Sequence, residues 1–196
     1  MSVDVRVMRA DDPQRAHLEA DGWVAIARSW GAALDLGRAD PEELSGLAAR
    51  ADALGSVREL GQEDVDAVLE LDVATTGDYP GSIATQHEVL ERSRATPSAT
   101  RAAWGFHTPD RTLAAVTFVD IDGDRVEIDF TVVARAWRGK GVGTGLKASA
   151  VLALLHRGVR AIRTGGSADN PAIIAANKRL GFTIDEEWVT LQRAAL

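Results

Sequence analysis

Residues 138–147, Arg-Gly-Lys-Gly-Val-Gly-Thr-Gly-Leu-Lys, carry four alternating glycines, Gly139, Gly141, Gly143 and Gly145. An apolar, β-branched run (126–133) precedes them and a helical pattern (146–156) follows. A strand, a glycine loop and a helix start together make an anion site. Glycine lets the backbone bend so that successive amides converge on one anion. The helix start adds unpaired N–H groups and the positive end of its dipole, and Arg138 and Lys140 supply full charge. Spacing then narrows the ligand. A Walker loop fails because Leu146 intervenes between Gly145 and Lys147, and the dinucleotide fingerprint fails because Thr144 and Leu146 hold the third-glycine positions. What fits is Arg-x-x-Gly-x-Gly, on Arg138, Gly141 and Gly143; the bland alternative is a glycine-rich turn with no ligand.

Just upstream, regular alternation over 126–132 predicts Glu127, Asp129 and Thr131 on one strand face and Val126, Ile128, Phe130 and Val132 on the other. That polar face either borders a reacting cleft or is a solvated sheet surface. Other chemistries have less support. There is no cysteine, so disulfides, thiolate metal sites and cysteine nucleophiles are excluded, and His17, His87, His107 and His156 lack metal-ligand spacing. No Gly-x-Ser-x-Gly elbow occurs.

These residues need elements to hold them. A length of 196 residues, 45% hydrophobic and 26% charged, suits one ordinary globular domain with room for an added subdomain. The net charge of −7 argues against general binding to nucleic acid or to an anionic membrane. No run approaches the ~18 apolar residues of a membrane span, and the N-terminus is unlike a signal peptide, so a cytoplasmic protein is expected. The pattern predicts a strand at 3–8, a helix from Asp12-Pro13 to about Ala20, short strands at 23–27 and 30–36, and a helix at 41–54 capped by Asp40. A boundary falls near Gly55. Beyond it come a strand (57–60), helices (62–71 and 83–94), strands at 102–107, 113–120 and 126–133, and the helix after the glycine loop. A strand at 159–164, a helix at 171–180 and two closing strands, 182–188 and 189–193, complete the chain.

This order is α/β (α+β), with a central mixed, mostly antiparallel sheet flanked by helices. Together with Arg138-x-x-Gly141-x-Gly143, it resembles the GNAT superfamily of acyl-CoA-dependent N-acetyltransferases. Residues 170–182, Asn-Pro-Ala-Ile-Ile-Ala-Ala-Asn-Lys-Arg-Leu-Gly-Phe, resemble the family's second signature, an asparagine before a helix ending in Gly-Phe. The resemblance implies a complete GNAT domain over 56–196. It also implies that the amides of Arg138, Gly139, Lys140, Gly141, Val142, Gly143 and Thr144 hold the pyrophosphate of acetyl-CoA. By the same resemblance Val133 and Ala134 pair through their backbone with the pantetheine arm. Asn170 matches a position that often binds the pantetheine amide, and it is equally a helix cap before Pro171.

Glu127 stands eleven residues before Arg138, the offset of the catalytic glutamate in histone-type members, and is the expected base. Asn177 occupies the position where many relatives place the tyrosine that protonates the leaving thiolate; asparagine can hydrogen-bond the sulfur or a water there but not protonate it, so Asn177 is the second expected catalytic residue and the acid is unassigned. Tyr79, the one tyrosine, falls in a loop on the acceptor side of such a fold. Residues 1–37 resemble the tail of a second GNAT unit, as in a shortened tandem protein, or else are a helix and hairpin extension. Their Trp23 and Trp30 surface needs a partner, the main domain or a second copy in a homodimer. The function implied is acetyl transfer from acetyl-CoA to a small-molecule amine. A non-catalytic acyl-CoA-binding or scaffolding domain is the alternative, and a plain nucleotide binder lacks both nucleotide motifs.

Overall fold

The computed structural model describes residues 4–78 and 89–193. In chain order these form β1 (Val5–Arg9), α1 (Gln14–Ala20), β2 (Trp23–Asp35), α2 (Pro41–Asp52), β3 (Ser56–Glu59), α3 (Val65–Thr75) and α4 (Arg92–Ala95). There follow β4 (Arg101–His107), β5 (Leu113–Asp122), β6 (Arg125–Val133), α5 (Val142–His156), β7 (Ala161–Ser167), α6 (Pro171–Arg179) and β8 (Thr183–Arg193). Tyr79 and the first half of the helix expected at 83–94 lie outside the described residues; in the second half 89–91 are not helical and only the short α4 follows. The described strands make one mixed sheet in the order β1-β8-β2-β7-β6-β5-β4-β3. Its pairs are antiparallel except β6 with β7.

Two sequence expectations fail at the same place, and together they explain the topology. The two short strands expected at 23–27 and 30–36 are one strand, β2, which absorbs its irregular stretches as register shifts at Ala25/Ala27 and Gly31/Ala32 rather than turning. The closing pair at 182–193 is likewise one strand, β8, because nothing between Trp188 and Val189 supplies a turn. Among the described residues, 56–193 therefore hold six strands, not seven, and β8 reaches β7 only through β2. The N-terminal extension is built into the middle of the sheet instead of standing beside it. Trp30 locks the insertion: its Nε1 donates to the Ser167 carbonyl at 3.1 Å, and a side chain at Gly165 would meet the Trp30 carbonyl at 2.9 Å.

Each sheet face has its own core. On one, α5 lies under α2 and buries Val142, Leu146, Val151 and Leu154 with Leu34, Phe106, Ile128 and Ile162. On the other, Val65, Val68 and Leu71 of α3 pack on Val116, Phe118 and Val132. The helix starts obey local rules. Asp40 Oδ1 accepts from the amides of Glu42 (2.9 Å) and Glu43 (3.3 Å) with Pro41 in the first turn. Asn170 Oδ1 accepts from the Ile173 amide at 3.2 Å, again followed by proline.

The expected alternation along β6 is overturned. The ladder between β5 and β6 slips between Phe118/Phe130 and Val119/Ile128, leaving Asp129 as the extra residue of a β-bulge. Val126 and Ile128 face the α5 core, but beyond the bulge Phe130 and Val132 face the α3 core. A bulge shifts the side-chain period by one residue, so Thr131 moves to the α5 face and Glu127 stays on the α3 face. Thr131 Oγ1 meets Thr117 Oγ1 at 2.7 Å on that α5 face.

Candidate functional site

The bulge also opens the sheet. β6 and β7 pair in parallel only through Ile128↔Thr164; beyond this β6 stays on β5 while β7 continues beside β2. A cleft of about 470 Å³ fills the divergence, walled by Thr131–Val133 from β6, the start of α5 and one side of α6.

Backbone direction in this split follows from the ladder. The Ala134 amide donates to the Ala114 carbonyl at 2.8 Å, and antiparallel pairs alternate. The adjacent pair Ala115↔Val133 is thus the non-bonded kind, and the Val133 N–H and C=O point away from β5, into the split. Its carbonyl accepts from Arg138 Nε at 2.8 Å. Ala134 is different: its amide is taken by Ala114 and its carbonyl by the Trp137 amide at 2.8 Å. Of the two residues expected to pair with an extended ligand, the structure leaves Val133 able to donate and Ala134 committed elsewhere.

The glycine loop divides its labour. Gly139 and Gly141 have φ of 72° and 84°, the left-handed region, and a side chain on either would meet nothing within 4 Å. Their lack of a Cβ serves backbone shape, and Gly141 is the residue from which α5 starts. Gly143 and Gly145 serve close approach. A Cβ on Gly143 would lie 3.2 Å from Val133 Cγ2, and one on Gly145 would lie 2.6 Å from Ala51 Cβ and 2.9 Å from the Leu47 carbonyl. Gly145 is therefore a packing residue between α5 and α2, not part of an anion cradle.

Gly139, Gly141, Val142, Gly143 and Thr144 all border the cleft, Val142 with its side chain buried in the core. Lys140 lies outside that lining; its Nζ sits over the Trp137 ring, 4.8 Å from the centroid. Trp137 itself both lines the cleft and tilts against Phe106 at 5.2 Å. Arg138 is engaged by Asp78, whose carboxylate accepts from Arg138 Nη2 at 2.9 Å and Arg135 Nη2 at 2.5 Å. The Arg135 guanidinium, with Arg138 behind it, holds the Asp78 carboxyl below its ordinary value.

Asn170 lines the cleft while capping α6; with Oδ1 used by the cap, its amide nitrogen is the group left for a ligand. Glu127 is exposed, stands outside the cleft lining, and lies between Asp120 and Arg163 in the sheet. Asp129 is held by Arg101 (2.7 Å) and Arg94 (2.8 Å), which makes it a structural ion pair of the bulge. Asn177 is buried, 2% exposed, behind the cleft wall.

The residue that sequence reasoning missed is Lys147. It borders the cleft, is only 2% exposed, and donates from Nζ to Asn177 Oδ1 at 2.9 Å. Burial alone pushes its ammonium down to about 7, with no neighbouring charge contributing. The signal was faint: a lysine at a position where α5 is otherwise apolar, flanked by Leu146 and Ala148.

Comparisons with known proteins bear on the family and the fold. The profile of the acetyltransferase (GNAT) family matches residues 68–182. Among solved structures, a GCN5-related N-acetyltransferase from Sphaerobacter thermophilus aligns at a TM-score of 0.69 and 17% identity, over 99% of this chain and 61% of that one. A tandem GNAT protein from the clavulanic acid biosynthesis pathway aligns at 0.62 and 24%, over 97% and 62%. The ribosomal-protein-S18-alanine N-acetyltransferase of Escherichia coli aligns at 0.56 and 15%, over 71% of this chain and 93% of its own. The chain thus spans about three fifths of the first two proteins, and at these identities the likeness is one of fold. A search of curated protein sequences gave no match.

Proposed function

The chain belongs to the GNAT acetyltransferase family, and from that premise we propose that it moves an acetyl group from acetyl-CoA to the primary amine of a small molecule. The observation that carries this reading is the cleft between diverging β6 and β7 with a glycine loop at its mouth. The two left-handed glycines keep the loop's amides unobstructed, which suits a pyrophosphate. Arg138 adds charge, and Asp78 marks the place a stronger anion would take. The Val133 N–H suits the amide of an extended arm, and the Asn170 amide nitrogen suits its carbonyl. Among the described residues no helix is long and apolar enough to cross a membrane; a cytoplasmic setting fits a co-substrate of central metabolism.

In the reaction the acceptor must lose a proton before its lone pair can attack the thioester carbon. We assign that task to Glu127, acting from the α3 face of the sheet so that the amine approaches through the split opposite the cofactor. Glu127, an exposed carboxylate on that face, suits a cationic acceptor, whereas Asp120 opposite it is held by Arg101 at 2.6 Å. Exposed Val7, Val24 and Ile26 on β1 and β2 support pairing of two copies through the extension.

Calorimetric titration with acetyl-CoA tests the cradle. Arg138→Ala and Gly141→Val should each weaken binding at least tenfold, and unchanged affinity in both would sink the assignment. One observation favours the second reading, a non-catalytic acyl-CoA-binding domain: Asn177 stands where relatives carry a tyrosine. Release of free CoA across an amine panel separates the two, since binding without turnover would select the scaffold.

A further inference from the structure

The buried pair Lys147–Asn177 presents an unusual account of charge. An ammonium carries three N–H donors, and among the described residues the one hydrogen bond given to Lys147 is to Asn177 Oδ1 at 2.9 Å. Among the described residues no carboxylate forms an ion pair with it. On the other arm of the same amide, Asn177 Nδ2 is buried with no hydrogen-bond partner among the described residues. Two sets of unfilled donors therefore stand together at the inner wall of the cleft. A lysine buried without a counter-ion costs several kcal/mol, and a fold that needed only bulk here would place methionine or leucine. Donors left open for an acceptor that is not part of the chain point to a negative charge that comes and goes.

We propose that Lys147 is the proton donor to the departing thiolate, with Asn177 as the positioning residue that aims its Nζ. This rests on the acyl transfer reading above. The acceptor nitrogen's lone pair forms the C–N bond to the thioester carbon. The carbonyl then re-forms as the C–S bond breaks, and that electron pair leaves on sulfur. One Nζ–H proton passes to the sulfur, giving the free thiol, and the neutral lysine is recharged by a proton shed from the acceptor nitrogen. In sum, an alkylammonium and a thioester give an amide, a thiol and one proton released to solvent.

The surroundings fit a poised donor. Among the described residues, the other charged ones on the cleft wall are Asp78, Arg138 and Arg179, and Asp78 is tied to Arg138 and Arg135. The charged residues of α2, which packs on α5, are exposed (Glu42, Glu43, Arg50 and Asp52), as is Lys178 on α6. Glu127 and Asp129 of β6 are on or held toward the opposite face. Burial therefore governs the proton, and the resulting value near 7 is matched to transfer near neutral pH.

The test needs no knowledge of the acceptor. CoA itself is bound to wild type, Lys147→Met and Lys147→Gln, and the ultraviolet absorbance of its thiolate is followed with pH. Methionine matches the lysine stem, and glutamine keeps a donor for Asn177 without charge, so a folding defect in one leaves the other readable. An ammonium facing the sulfur should make the bound thiol titrate at least one pH unit lower in wild type than in both variants, a tenfold shift in its ionisation. Identical titrations in all three overturn the role of Lys147 while leaving the cradle intact. Failure of wild type to bind CoA at all overturns the cradle reading, and this inference with it. With any amine that proves to be a substrate, both variants should lose turnover about 10²- to 10⁴-fold with little change in the KM for acetyl-CoA; wild-type turnover in K147M would likewise overturn the proposal.

Discussion

The mouth and the inner wall of the cleft solve the problem of negative charge in opposite ways. At the mouth the donors are backbone amides shaped by Gly139 and Gly141, and the exposed charge of Arg138 is already matched by Asp78. At the inner wall the donor is one buried side chain, Lys147, with an amide for company and no counter-charge among the described residues. On the proposed reading the mouth takes a permanently charged anion, which water and a local carboxylate can replace when it is away. The inner wall has no replacement, so its charge is held at the edge of existence. Affinity should therefore live at the mouth and proton chemistry at the wall, and variants at the two places should move different observables.

The largest expected effect concerns stability at the wall. Lys147 falls to about 7 in the folded protein from 10.5 unfolded. Between those values the unfolded chain binds the extra proton, so stability rises with pH. Below about pH 7 both states are protonated and the burial cost is fully present; above about pH 10.5 both are neutral and it vanishes. The full swing is about 5 kcal/mol, from roughly 1.4 kcal/mol per pH unit. Lys147→Met should remove this slope, so that its advantage over wild type in urea unfolding shrinks as pH climbs from 7 to 10. The level at any single pH also contains the orphaned Asn177 carbonyl, about 1–3 kcal/mol, which is why the slope is the measurement. Parallel pH profiles in the two proteins would show that the ammonium is not buried as described.

A smaller effect separates the glycines. Gly145→Val drives a side chain into Ala51 and the Leu47 carbonyl and should cost about 1–3 kcal/mol of stability through overpacking, while acetyl-CoA affinity changes little per folded molecule. Gly141→Val has open space around it but sits at a φ of 84°, so it should lose stability through backbone strain and lose affinity with it. Melting temperature set against calorimetric affinity places each variant, and a Gly145 variant that lost affinity without losing stability would put that residue back in the cradle.

How much of this could be read from the chain follows the same division. The loop, both helix caps and the mostly antiparallel sheet were legible because each rests on residues adjacent in sequence: glycine for positive φ, Asp40-Pro41 and Asn170-Pro171 for helix starts, alternating apolar residues for strands. The bulge at Asp129 was not, because a bulge is a property of a pair of strands, and its signal, Arg101 and Arg94 reaching Asp129, lies some thirty residues upstream. For the same reason Glu127 and Thr131 were expected on one face and fold onto two. The insertion of β2 between β7 and β8 escaped notice because strand order is decided by tertiary pairing. Lys147 escaped because it becomes meaningful only when α6 brings Asn177 against it.

The smallest effect is the most direct probe of the mouth. Asp78 holds Arg138 through a pair whose arginine is well exposed, 38% against 16% for the carboxylate, so the pair itself contributes little to stability. Its electrostatic influence on an incoming anion is another matter. A pyrophosphate brings several negative charges to donors that Asp78 already occupies in part, and the carboxylate repels it at close range. Asp78→Asn keeps a hydrogen-bond acceptor for Arg138 and removes that repulsion, so acetyl-CoA should bind more tightly at low salt. The gain should fade as salt is raised, since exposed charges are screened over about 8–10 Å at physiological ionic strength. Lys147→Met should leave this salt dependence untouched, because the wall lies out of reach of screening ions. If Asp78→Asn instead weakens binding at every ionic strength, then the carboxylate is positioning Arg138 for the anion, and the mouth is a built ion pair rather than a placeholder.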